Sequence, residues 1–96
     1  MKFVASVKDA EVKVMATRIL EFLRNRFPTA AGVPTDEGFR FAIDDEHIAT
    51  VTLGKNFVQL EAGPNHIPTS RIRDVEALDF ALRLPSIENA LAAVKA

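Results

Sequence analysis

The sequence predicts an α+β fold: an N-terminal helix, an antiparallel meander of three to four strands, and a C-terminal helical segment broken at Pro85, with the helices packed on one sheet face. Three observations carry this. Apolar residues recur at helical spacing up to Phe27, three short apolar-alternating runs lie between Gly38 and Leu60, and a second helical pattern follows Asp74. At 96 residues the chain is one domain, large enough to bury a core without staples.

From Ser6 to Phe27, residues Val12, Met15, Ala16, Ile19, Phe22, Leu23 and Phe27 make an apolar stripe, while Lys13, Arg18, Glu21, Arg24 and Asn25 take the other side. Ser6 with Asp9 resembles a capping pair, Asp9 being an alternative cap, and Pro28 ends the run. The connection from Pro28 to Asp36 contains Pro28, Gly32 and Pro34 and reads as a loop.

The strand register follows from placing apolar side chains opposite one another. A turn over Lys55 and Asn56 opposes Leu53 to Val58, Val51 to Leu60 and Ala49 to Ala62, whereas one residue more would set Val51 against Gln59. The same criterion pairs Ile43 with Ala49, Phe41 with Val51 and Phe39 with Leu53, leaving Asp45, Glu46 and His47 as the loop. The opposite face then carries Arg40, Ala42, Asp44, Ile48, Thr50, Thr52, Phe57, Gln59 and Glu61. Ile67 to Arg73 reads as a fourth strand at an edge, because Pro68 cannot donate to a central ladder; Ile72 faces the core, and Thr69, Arg71 and Arg73 face out.

Asp74 caps a second helix through Leu84, with Val75, Leu78, Ala81 and Leu82 on one side. Pro85 breaks it, and Ser86 starts a last helix with the stripe Ile87, Ala90, Leu91, Val94. The expected core comprises Ile19, Phe22, Leu23, Phe39, Phe41, Val51, Leu53, Val58, Leu60, Leu78, Leu82 and Leu91.

Composition restricts function more than it assigns it. The chain has no cysteine, so disulfides, thiolate nucleophiles and cysteine-based metal sites are excluded. A net charge of −1 offers a polyanion no overall attraction, so nucleic acid is not an expected partner. The N-terminal Met-Lys-Phe-Val-Ala-Ser-Val-Lys has too short an apolar stretch for a secretory signal, and no run approaches the ~18 apolar residues of a membrane span. A cytoplasmic protein with no membrane association and no cofactor is the expectation.

Several constellations carry chemistry on paper. His66, Ser70 and Asp74 hold the residue types of a hydrolytic triad, but Pro68 opposes a helix, and four residues of extended chain span ~13 Å, far beyond proton-transfer reach. Asp44-Asp45-Glu46-His47 packs potential metal ligands into a turn, without the spaced ligands and central glycine of a calcium loop. Gly54-Lys55-Asn56 lacks phosphate-loop spacing and opens a strand instead of a helix. Neither a catalytic nor a metal site is assigned.

The outer sheet face holds the strongest candidate group. Arg40, Arg71 and Arg73 present guanidinium forks suited to a carboxylate or phosphate beside Thr50, Thr52 and Gln59. Phe57 and Ile48 on the same face form an apolar patch that a second subunit could cover; a helix or the segment Phe3 to Val7 is an alternative cover. The order helix, three antiparallel strands, helix is similar to that of double-stranded RNA-binding domains, which open their last helix with lysines. Asp74-Val75-Glu76 stands at that position here, so the likeness implies element order and carries no site residue across. The functional expectation is a non-enzymatic interaction module that self-associates or binds another protein through the outer sheet face. The alternative is a domain that binds a small anionic ligand through Arg40, Arg71 and Arg73.

Overall fold

The computed structural model describes residues 10–94. The elements are α1 (Ala10–Arg26), β1 (Ala31–Pro34), β2 (Gly38–Ile43), β3 (Glu46–Leu53), β4 (Val58–Ala62), β5 (Ile67–Pro68), α2 (Val75–Leu82) and α3 (Pro85–Ala92). The strands form one antiparallel sheet in sequence order, β1-β2-β3-β4-β5, so β3 is the central strand. The α+β class, the meander and the helix break at Pro85 agree with the sequence. The strand count is higher than expected, at five.

The additional strand is β1, in the segment whose prolines and glycine read as a loop. It pairs Ala31 with Ala42 through Pro34 with Phe39, and all four of its residues are exposed, so no burial pattern marks it in the sequence. Pro34 removes one donor from this sheet edge, which blunts further strand addition.

Helix α1 buries Val12, Met15, Ala16, Ile19, Leu20 and Leu23, a stripe at the 3.6-residue period. It packs on β3, β4 and α2, while α3 packs on β4 and β5. Two ion pairs, Arg18 to Asp79 at 3.4 Å and Arg26 to Glu88 at 3.0 Å, tie α1 to α2 and α3. Their side chains remain substantially exposed, so apolar burial holds the helices far more than these pairs do. The Ser6 and Asp9 capping pair and the Phe3 to Val7 segment lie outside the described residues.

Asp74 caps α2, its carboxylate accepting from the Ala77 N–H at 2.8 Å. Such a cap contributes about 1 kcal/mol. Pro85 is the first residue of α3, one earlier than expected; its missing N–H costs nothing at a helix start. Of the expected core, Phe22 and Leu53 are only partly buried against it, and the other ten positions are buried. Phe39 and Phe41 meet edge to face, their centroids 5.8 Å apart at 87°.

The second hairpin has the expected register: Leu53 opposes Val58, Val51 opposes Leu60 and Ala49 opposes Ala62. The first hairpin departs from expectation. Phe39 pairs with Val51 and Phe41 with Ala49, and the register then shifts so that Ala42 pairs with His47 and Ile43 with Glu46. The reversal uses only Asp44 and Asp45, both in the left-handed region at φ 50° and 69°, the geometry that matches strand twist in a two-residue hairpin. Ile48 is therefore the extra residue of a β-bulge and is fully buried, where a straight register would put it on the outer face.

The expected fourth strand shortens to two residues. Pro68 cannot continue the ladder, and Thr69 turns inward: its N–H donates to the Leu60 carbonyl at 2.8 Å and its Oγ1 accepts from the Leu60 N–H at 3.1 Å. Thr69 is thus buried instead of facing out, and a bridge between Val58 and Ile72 resumes the pairing further on. Phe41 tests the packing: Phe41→Ala should lower unfolding stability by about 3 to 5 kcal/mol in urea denaturation, and an unchanged midpoint would contradict its place in the core.

Candidate functional site

All the described helices lie against the sheet's inner face, so the outer face is the surface they leave uncovered. Two cross-strand rows organise it. One runs Val33, Arg40, Thr50, Glu61, Pro68, and the next runs Gly38, Thr52, Gln59.

Beyond Thr52 and Gln59 the face opens into a cleft of about 500 Å³, lined among others by Asp36, Glu37, Thr52, Phe57, Gln59 and Arg71. Its floor is the β3–β4 turn, where the Gly54 N–H donates to the Phe57 carbonyl at 2.8 Å. The Phe57 ring occupies the space a Cβ on Gly54 would need, so a larger residue there would displace the ring. The Arg71 guanidinium lies over that ring, 4.7 Å from its centroid. Its position follows from Ile72, whose N–H and C=O both bond Val58 at 2.8 Å. On the opposite wall the Leu53 N–H donates to the Glu37 carbonyl at 2.7 Å and the Thr35 N–H to the Gly38 carbonyl at 2.9 Å, holding Asp36 and Glu37 in place.

The expected group of five residues does not assemble as a unit. Arg71 and Phe57 come together in the cleft. Arg40 is exposed in the neighbouring row, Arg73 is exposed, and neither lines the cleft. Ile48 is in the core. Asp36 and Glu37 are site residues that the sequence concealed: once Pro28 to Asp36 reads as a loop, nothing marks them as the end of a β1–β2 hairpin. Among the described residues neither they nor Arg71 form an ion pair. A groove of about 550 Å³ along α1 gathers less chemistry, since its Arg18 is already paired with Asp79.

At the other end of the outer face, the bulge brings the two histidines together. His47 and His66 stack with centroids 3.8 Å apart and planes at 20°. His47 Nδ1 is 2.7 Å from the Gly63 carbonyl, which can only accept, so Nδ1 carries the proton. In the neutral ring, Nε2 then accepts from the Thr50 hydroxyl at 2.6 Å. Burial holds the His47 pKa below its ordinary 6.5, with His66 and Arg40 acting in the same direction and the Gly63 carbonyl and Glu61 opposing.

Two of the three triad residues are committed elsewhere. Asp74 caps α2 and His66 stacks on His47. Asp44 and Asp45 form an exposed turn while His47 turns toward Gly63, so that acidic stretch diverges; among the described residues no group of three or more acidic or histidine side chains is placed to hold a metal ion. Among the described residues no helix is long and apolar enough to cross a membrane. In comparisons with known proteins the chain matches no family model, no curated protein and no solved structure.

Because the folded state disfavours the His47 proton, the unfolded state binds it more readily. The His47 contribution to stability is therefore present above pH 6.5 and lost as pH falls through the depressed folded value. The melting temperature should drop on acidification below that point, His47→Gln should flatten the drop, and the imidazole should titrate in NMR with a midpoint under 6.5. A midpoint above 6.5 would contradict the burial described for His47.

Proposed function

We propose that the chain is a small non-enzymatic interaction module that works through the outer face of its sheet, with two copies associating there. One observation carries the proposal: the helices stack on the inner face, leaving a broad antiparallel surface with Val33, Arg40, the threonines and the Phe57–Arg71 pair open to a partner. Val33 is 48% exposed in the row that contains Arg40, an apolar side chain open to a partner on this face.

A second use of the face is supported by the cleft, where Arg71 has aromatic support and, among the described residues, no ion pair. In that role the chain binds a small ligand carrying a carboxylate, with Arg71 as the anion contact. Arg40 and Arg73, outside the cleft, contribute only at longer range.

Sedimentation velocity over a micromolar concentration series tests the association. A concentration-dependent dimer is expected, and Val33→Asp combined with Arg40→Glu should weaken it by about tenfold or more, the equivalent of 1.4 kcal/mol. A strict monomer throughout the series would remove self-association and leave the ligand role standing.

A further inference from the structure

We infer that the Phe57–Arg71 cleft binds a basic amino acid, its α-carboxylate on Arg71 and its ammonium groups toward Asp36 and Glu37; this deepens the small-ligand role and rests on it. Charge bookkeeping within the cleft leads there. Two carboxylates and one guanidinium line it, and none is neutralised by an ion pair among the described residues. A purely anionic ligand that reached Arg71 would face Asp36 and Glu37, and a purely cationic one held by those carboxylates would face Arg71. One carboxylate with two ammonium groups is the complement of the set.

The cleft is also built to hold such a ligand. Arg71 lies over the Phe57 ring, a contact to the aromatic face that leaves guanidinium N–H groups for a carboxylate. The acidic wall is secured by the Glu37 carbonyl, which accepts from the Leu53 N–H at 2.7 Å, so both charged walls are anchored to sheet backbone before anything binds. Gln59 Nε2 is spent on the Thr69 carbonyl at 2.9 Å, which orients its Oε1 as a remaining acceptor. A volume of about 500 Å³ falls within the ~300–1,000 Å³ of small-molecule sites.

The test is a ¹H–¹⁵N titration of the full chain with four matched probes: L-lysine, L-norleucine, 1,5-diaminopentane and hexanoate. Lysine should shift the Thr52, Leu53 and Gly54 amides saturably and bind at least about fivefold more tightly than each of the others, the ratio expected for one partly solvated charge pair. Arg71→Gln should abolish the advantage over 1,5-diaminopentane, and Asp36→Asn with Glu37→Gln the advantage over norleucine; all three positions are exposed, so the amide spectrum will report an intact fold. Norleucine or 1,5-diaminopentane binding as tightly as lysine would overturn the inference. Hexanoate binding as tightly would overturn it while leaving anion binding by Arg71 in place, and no saturable shift with any probe would overturn both.

Discussion

Much of the molecule depends on one glycine, Gly63. The Gly63 N–H donates to the carbonyl of Ile48 at 2.6 Å, and the Gly63 carbonyl accepts from His47 Nδ1 at 2.7 Å, so a single residue satisfies both sides of the bulge in the central strand. Gly63 has φ 76°, where side chains are disfavoured, and a Cβ would collide with the Ala90 carbonyl of α3. The bulge, the β4–β5 turn and the last helix therefore meet at a point that tolerates no side chain. The extra residue sends Ile48 into the core beside Ala49 and leaves His47 on the outer face, over Thr50.

The same economy governs the sheet edge. Proline at position 68 ends β5 after two residues, yet Leu60 does not lose its partners, because Thr69 supplies a backbone donor and a side-chain acceptor. The chain then reaches Ile72, whose bridge to Val58 sets Arg71 over Phe57. Polar satisfaction at an edge and the shape of the cleft are consequences of one short irregular segment.

How much was legible in the sequence follows from these particulars. Regular periodicity marked α1, the Asp74 cap, the Pro85 break and the whole β3–β4 register, since each rests on local pattern or on apolar residues facing one another. The bulge was hidden because Ile43, Phe41 and Phe39 find apolar partners in a straight register too, and only the two-residue turn at Asp44 and Asp45 with the Gly63 contacts decides between them. Strand β1 was hidden because an exposed edge has no burial pattern to display. Arg71 and Phe57 were visible as residue types on one face, whereas Asp36 and Glu37 joined them only through the unseen hairpin, so two of the three charges of the cleft lay outside what alternation can report.

Ile48 is the residue that the bulge carries inward. Unfolding of Ile48→Ala in urea, compared with the parent chain, measures this most directly. A loss of about 2 to 5 kcal/mol is expected, as for an isoleucine truncated inside a core. A change within about 0.5 kcal/mol, as for an exposed position, would contradict it, because Ile48 would then lie on the outer face of a straight hairpin.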